Sequence, residues 1–93
     1  MQNEPNIRIL VFKDGDIYVA QCLEVDIAAC ADSVNRLREN IVGTIDAYRQ
    51  ETIERHGVAF QGIEPAPQEF HDMWDSANKF EQGANDFDMA LAA

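Results

Sequence analysis

Residues 7–22 decide the fold of this chain and read IRILVFKDGDIYVAQC. Two runs rich in β-branched and aromatic side chains flank the turn pair Asp14-Gly15. Because Gly and Asp tolerate the positive φ angles of tight turns, this pattern predicts a β-hairpin. A loop at residues 23–26 then leads to a third short apolar run at residues 27–31, so the sequence predicts three strands in meander order.

A long helix is predicted after the third strand. Asp32 and Ser33 are favourable N-cap residues, and the apolar side chains then recur at steps of three and four. The apolar residues of this stripe are Val34, Leu37, Ile41, Ile45 and Tyr48. Gly57 suits the left-handed position that ends a helix, so we expect the helix to run from about Ser33 to His56. A close approach of the helix to the sheet would explain Gly43 in its interior.

The C-terminal third predicts a second helix. Val58-Ala59-Phe60 is a candidate fourth strand, and Pro65 and Pro67 interrupt regular structure after it. The helix is expected from Gln68 to Gln82. Its apolar face would comprise Phe70, Met73, Trp74, Ala77 and Phe80. Residues 84–93 lack a clear anchor, so we expect a frayed turn or a flexible acidic tail there.

The predicted fold class is α+β. We expect a three- to four-stranded, mostly antiparallel sheet packed on one long helix, with a C-terminal helix added. Residues 1–63 would form a β-β-β-α-β domain, and residues 64–83 an acidic helix packed on it or on a second subunit. Residues 84–93 would form the tail.

Both faces of this sheet are expected to be apolar. In the first strand Ile7, Ile9 and Val11 point to one side, while Leu10 and Phe12 point to the other. One long helix covers only one face, so the other must meet the second helix, a second subunit or a partner. We therefore expect the isolated chain to be at least a dimer, or a tetramer, at micromolar concentration.

The composition excludes several classes of function. The chain has 93 residues, of which 17 are Asp or Glu and 7 are Lys or Arg, and its formal net charge is −10. A hydrophobic fraction of 46% is too high for a disordered chain, and the length fits one domain. Because nucleic acids and anionic membranes are bound through Lys and Arg, direct binding to either is not expected. The charge favours a basic protein partner.

The cysteines and histidines predict no metal site. Residues 1–5 lack the features of a signal peptide, so a cytoplasmic location is expected, in which Cys22 and Cys30 stay reduced as core residues. His56 and His71 complete the candidate soft ligands, but no pair has the spacing of a structural zinc site. We expect no cofactor and no metal.

Four carboxylates near predicted strand ends raise the question of nuclease chemistry. Converging carboxylates on Mg²⁺ would be needed, and Asp14, Asp16, Glu24 and Asp26 are the candidates. Turn chemistry already explains Asp14 and Asp16. We therefore expect no catalytic residue, and the chain is not expected to be an enzyme.

The order of the elements resembles the HicB family of antitoxin-like domains. The resemblance is carried by YVAQCLEVDIAA at residues 18–29, by Asp32-Ser33, and by Leu37 and Ile41 in the helix. It covers about residues 6–63 and implies a degenerate RNase H-like fold without nuclease activity. It also implies binding to a small basic RNA-cleaving toxin, which such domains mask in complete toxin–antitoxin systems. The chain departs from many family members because no basic DNA-recognition helix follows Gly57.

The expected function is that of a non-catalytic protein-binding module that occludes a small basic, RNA-binding or RNA-cleaving toxin-like partner. The expected partner-binding residues are Glu24 and Asp26 in the loop, Glu69, Asp72 and Asp75 on the second helix, and Trp74. Trp74 would be the apolar anchor if the helix docks outward, and otherwise a core or dimer residue. The alternative is a homo-oligomeric accessory protein without a toxin partner, which associates through Phe70, Trp74 and Phe80.

Overall fold

A single mixed β-sheet and two helices make up the computed structural model, which describes residues 6–84 and 87–92. The elements are β1 (Ile7–Asp14), β2 (Ile17–Cys22), β3 (Ala28–Ala31), α1 (Val34–His56), α2 (Gln68–Asp75), β4 (Asn78–Ala84) and β5 (Phe87–Leu91). The strand order is β3-β2-β1-β5-β4. β1 and β5 are parallel, whereas the other neighbouring strands are antiparallel. The α+β class and the sheet packed on a long helix are confirmed, but the expected three or four strands are too few.

Parts of two predictions lie outside the described residues. These are residues 1–5, which begin the predicted first domain, and residues 85, 86 and 93 of the predicted tail. Within the described part of the chain, neither helix combines the length and the apolar character that crossing a membrane requires.

The hairpin and the long helix form as the sequence predicts. Gly15 takes a φ angle of +62° at the first central position of the β1–β2 turn, where a side chain would be strained. The Ser33 hydroxyl accepts the N–H of Arg36 at 3.3 Å and caps the start of α1. Gly57 ends α1 with a φ angle of +77°, and its N–H donates to the Ile53 carbonyl at 2.8 Å. Both helix ends are therefore set by local chemistry.

The expected reason for Gly43 is wrong. Gly43 is exposed, and a Cβ atom built on it would meet no other group of the described residues within 4 Å. Within the chain, α1 could therefore carry a side chain here without touching the sheet.

The expected strand at residues 58–60 is a sequence of turns instead. Phe60 is buried, and its backbone adopts the left-handed conformation, with a φ angle of +64°. Its N–H donates to the hydroxyl of Thr52 at 2.7 Å, so a buried side chain of α1 supplies the hydrogen-bond acceptor that the turn needs. A residue held in this conformation cannot lie in a regular strand.

The second helix is shorter than expected. It ends at Asp75, and residues 78–84 form the strand β4. The Nζ atom of Lys79 donates to the carbonyls of Trp74 at 2.6 Å and Ala77 at 3.0 Å. Lys79 follows the end of α2, and its ammonium group adds to the N–H of Ala77, which also donates to the Trp74 carbonyl, at 3.1 Å. The apolar spacing that continued to Phe80 therefore spans a helix end and the start of a strand.

The expected flexible tail contains β5, an inner strand of the sheet. Phe87 and Met89 lie beside Ile7 and Ile9 in register, and Phe87, Met89 and Ala90 are buried. The alternation of these side chains between the two faces is that of a strand. The tail prediction is therefore wrong for the described residues 87–91.

Two cores cover the two faces of β1, as its alternating side chains predict. On one face Ile7, Ile9 and Val11 pack with residues of α1, namely Leu37, Ile41 and Ile45. On the other face Leu10 packs with Leu23, Trp74, Ala77 and Ala90. Of the three expected covers for the second face, the structure shows α2.

Candidate functional site

The loop after β2 is held by an ion pair between Glu24 and Arg8. The Oε2 atom of Glu24 lies 2.6 Å from Nε of Arg8, and its Oε1 atom accepts the backbone N–H of Arg8 at 2.6 Å. Both side chains are partly shielded from solvent. Glu24, which we expected to face a partner, is therefore engaged with β1 of its own chain.

Asp26 faces solvent at the end of the same loop. Its carboxylate accepts a hydrogen bond from the Nε2 atom of Gln21 at 2.9 Å, and Gln21 is itself buried. The N–H of Asp26 donates to the carbonyl of Glu64 at 2.7 Å, and the N–H of Ala66 donates to the carbonyl of Leu23 at 3.0 Å. These bonds fix the segment that enters α2 beside the acidic loop.

The three acidic residues of α2 are exposed. Glu69, Asp72 and Asp75 recur every three positions, whereas the intervening Phe70 and Trp74 pack against the sheet. This spacing places the carboxylates on the outer side of the helix. We call Asp26, Glu69, Asp72 and Asp75 the acidic surface.

Trp74 is an internal residue with only 8% of its surface exposed. Its ring lies under two cations, 5.8 Å from the guanidinium of Arg8 and 5.3 Å from Nζ of Lys79. Phe70 also packs in this core and stacks on Phe12 at a centroid distance of 6.0 Å. Trp74 therefore packs within its own chain and does not project outward as an anchor.

Most of the positive charge of the chain is already paired internally. Five arginines form ion pairs with carboxylates of the same chain, in the pairs Arg8–Glu24, Arg36–Asp32, Arg38–Glu81, Arg49–Asp46 and Arg55–Glu51. Within residues 6–84 and 87–92, no carboxylate of the acidic surface lies within ion-pair distance of a basic side chain. The acidic surface therefore keeps its negative charge.

The four carboxylates considered for nuclease chemistry do not converge. Asp14 ends β1 and Asp16 lies in the turn before β2, whereas Glu24 and Asp26 follow the end of β2. A strand of this length separates the two pairs by roughly 20 Å. In the described part of the chain, no group of three His, Cys, Asp or Glu side chains is arranged to hold a metal ion.

The two cysteines differ in environment, and both are free thiols. Cys22 is buried, as expected, and its burial raises the pKa of the thiol from 9.0 to about 12, with a further contribution from the negative charge of Glu24. Such a thiol is unreactive at neutral pH. Cys30 is exposed on β3 and is not the core residue that we expected.

A second surface feature escaped the sequence analysis. Val11, Val34, Asn78, Phe80 and Leu91 line an apolar cavity of about 200 Å³. Phe80, expected on the inner face of the second helix, is 49% exposed because it lies on β4, where the pairing with β5 shifts register. The alternation of Phe87, Met89 and Leu91 is the signal that would have predicted a strand here.

Comparison of this chain with known protein families, with characterised proteins and with solved structures found no match.

Proposed function

We propose that this protein is a non-catalytic binding module, similar in role to a HicB antitoxin, whose acidic surface binds a small basic protein. The partner would be RNA-binding or RNA-cleaving and toxin-like, and binding would occlude the Lys and Arg side chains with which it grips RNA. The observation that carries this proposal is the acidic surface itself, since its four carboxylates are solvent-facing and have no basic partner in the described chain.

The geometry supports binding through charge more than through an apolar anchor. Trp74 is buried by its own chain, so α2 presents mainly Glu69, Asp72 and Asp75 to a partner. Opposite charges steer association and raise its rate, and salt weakens this effect. Glu24 contributes indirectly, because its bonds to Arg8 hold the loop that carries Asp26.

The test begins with capture of partners by the tagged protein from its native cell at low salt, followed by mass spectrometry and stoichiometry. A captured small basic protein is then purified, and its affinity is measured against the triple variant Glu69→Gln, Asp72→Asn and Asp75→Asn. We expect affinity to fall at least tenfold and most of its salt dependence to disappear. We also expect the unaltered chain to inhibit any RNA cleavage by that protein.

A matched control removes the same charge elsewhere. Asp16→Asn, Glu39→Gln and Glu54→Gln neutralise three exposed carboxylates outside α2 and the acidic loop. We expect this control to bind nearly as well as the unaltered chain. Equal losses in the two triple variants would show that net charge matters and the acidic surface does not, and unchanged affinity in both would refute the electrostatic mechanism.

The alternative is a homo-oligomeric accessory protein with no toxin partner. This alternative expected association through Phe70, Trp74 and Phe80. Phe70 and Trp74 pack within the chain, whereas Phe80 is exposed and can contact a second copy. Recovery of the chain alone, as a discrete oligomer that resists high salt, would favour this alternative.

A further inference from the structure

The outer edge of β3 has no neighbouring strand among the described residues, so its outward backbone groups have no partner in a ladder. The N–H of Cys22 donates to the carbonyl of Ile27 at 2.9 Å, and Ala20 lies opposite Ala29 in the same ladder. Hydrogen-bonded and non-hydrogen-bonded pairs alternate in an antiparallel ladder, so the N–H and C=O groups of Ala28 and Cys30 point away from β2. Asn40 confirms this direction, because its Nδ2 atom donates to the Cys30 carbonyl at 3.1 Å.

A groove lies beside this edge. It has a volume of about 560 Å³ and is lined by β3 and by small residues of α1, among them Gly43 and Ala47. These two residues are one helical turn apart. Glycine is unfavourable inside a helix, and the open space around Gly43 provides no reason within the chain for its presence. The groove would allow another backbone to approach α1 closely.

We propose that a second copy of this chain pairs its own β3 with this edge in an antiparallel manner, so that the two sheets become continuous. The register that uses every outward group is centred on Ala29. In it, Ala28 pairs with Cys30 of the partner subunit, and Cys30 pairs with Ala28 of the partner subunit. Each pair exchanges two backbone hydrogen bonds, and the Asn40 amide must first release the Cys30 carbonyl.

The uncharged strand suits a second copy better than a basic partner, although the proposed register also brings Asp26 opposite Asp32 of the partner subunit at each end. The chain has a net charge of −10, so two copies repel each other wherever their carboxylates meet. Residues 28–31 carry no charge, and Glu39 is the one charged residue that lines the adjacent groove. A basic partner would find more unpaired carboxylates at the acidic surface than here.

The opposite edge of the sheet is less suited to pairing. β4 carries Lys79 and Glu81, and its pairing with β5 shifts register at both Lys79/Glu81 and Glu81/Ala84. Charged side chains and bulges are features that block the addition of another strand. β3, which is regular and uncharged, has neither protection.

The dimer should depend on concentration. A stable interface involves roughly 20–30 residues on each side, and the eight residues that line the groove are far fewer. We therefore expect monomers and dimers to exchange in the micromolar range. This inference is independent of the proposed function, because it uses neither α2 nor the acidic loop.

The register is tested with cysteine pairs. Ala29→Cys, made together with Cys30→Ala, places a thiol opposite its own copy in a non-hydrogen-bonded pair, where the Cα atoms are about 4.5 Å apart and a disulfide can form. The matched control is Ala31→Cys in the same Cys30→Ala background, since the two copies of residue 31 would lie about 13 Å apart. The remaining Cys22 is buried in both variants.

After mild oxidation we expect a covalent dimer from the Ala29→Cys variant and little or none from the Ala31→Cys control. Equal cross-linking of both variants, or no cross-linking of either, would overturn the proposed register. Circular dichroism before oxidation verifies that both variants are folded.

Sedimentation measured from micromolar to millimolar concentration tests the pairing without engineered cysteines. Ala28→Pro removes one outward N–H group while leaving the bonds to β2 intact, and Ala28→Val keeps that group. We expect dimerisation at least tenfold weaker for Ala28→Pro and nearly unchanged for Ala28→Val. An unaltered chain that stays monomeric, or a dimer that Ala28→Pro does not weaken, would refute the proposal. Neither result would affect binding of a basic partner to the acidic surface.

Discussion

The hydroxyl of Thr52 accepts the backbone N–H of Phe60 at 2.7 Å and lies 2.8 Å from the carbonyl of Tyr48, to which it donates. Thr52 is only 7% exposed, so the bond joins the last turns of α1 to the turn that follows under little competition from water. Thr52→Val keeps the shape but leaves the Phe60 N–H without a partner. We expect the free energy of unfolding to fall by about 1–3 kcal/mol in urea denaturation.

Thr44→Val is the matched control. The Thr44 hydroxyl also donates to a carbonyl of the preceding turn, that of Asn40 at 2.8 Å, but within the described residues it accepts no bond from another segment. We expect a change within about 0.5 kcal/mol. Similar losses of unfolding free energy in the two variants would show that the hydrogen bond between Thr52 and Phe60 adds no stability of its own.

Replacing Glu24 should destabilise the acidic loop more than replacing a carboxylate in an exposed ion pair. Glu24→Ala removes both bonds to Arg8, one of them to its backbone N–H, and we expect a loss of about 1–3 kcal/mol. Glu51→Ala removes a pair with Arg55 in which both side chains are more than half exposed, and such pairs contribute about 0–1 kcal/mol. Chemical denaturation compares the two, and equal effects would contradict a structural role for Glu24.

The inner position of β5, between β1 and β4, predicts a large effect of truncating Met89. Met89 is 2% exposed, so Met89→Ala should lower the free energy of unfolding by about 2–5 kcal/mol. Leu91→Ala, on the same strand and the same face, alters a residue that is 41% exposed and should cost much less. If Met89→Ala were as mild as Leu91→Ala, residues 87–91 would not form an inner strand.

Gly43→Ala should stabilise the monomer. A Cβ atom at this position meets nothing within 4 Å in the described part of the chain, and alanine is favoured over glycine in a helix interior by about 1 kcal/mol. The measurement is urea denaturation at a concentration low enough for monomers to dominate. A loss of stability there would revive the idea that α1 approaches its own sheet at this glycine.

Burial of Cys22 predicts a loss of stability at alkaline pH. The folded-state pKa of the thiol is raised from 9.0 to about 12, so the folded form binds its proton more tightly than the unfolded form. The resulting stabilisation is complete below pH 9 and is lost as the pH rises from 9 towards 12, by up to about 1.4 kcal/mol per pH unit. Denaturation at several pH values should show this decline.

Cys22→Ala is the control for the alkaline decline. It removes the buried thiol, so the part of the pH dependence due to that group should disappear even though the variant is less stable throughout. An identical slope in both proteins would assign the decline to other groups.

Sequence reasoning succeeded where the signal was local. The bounds of α1 followed from Ser33 and Gly57, because each cap acts through a hydrogen bond within one or two turns of the helix. The hairpin likewise depended on Asp14-Gly15 between two strand-forming runs. These features need no knowledge of the rest of the chain.

It failed where a distant segment decided the structure. Residues 78–82 were expected to continue the second helix, yet they form part of β4. This strand pairs with β5, and β5 in turn pairs with β1. The alternation of Phe87, Met89 and Leu91 around Asp88 is a local strand signal, but it is only five residues long, and the inner position of the strand depends on its pairing with β1.

The candidate site was predictable in part. Helical spacing correctly indicated that Glu69, Asp72 and Asp75 share the outer side of α2, because α2 does form there. The pairing of Glu24 with Arg8 was not predictable, since it required knowing that the loop folds back beside β1. The inward position of Trp74 was one of two alternatives that only the packing of α2 on Leu10 and Leu23 could decide.

The pairing of β1 with β5 also governs when the protein can fold during its own synthesis. Asn6, just before β1, and Asp88, within β5, share a hydrogen bond of 2.8 Å although they are 82 positions apart in the chain. A nascent chain that has made β1, β2 and β3 still exposes one long edge of β1, with its apolar neighbours, to other molecules. Such an edge invites aggregation, and the loop that closes it is the longest the sheet requires. The sheet therefore remains open until residues 87–91 have been made, so translation speed and chaperone binding over the last third of the sequence should control the yield of folded protein.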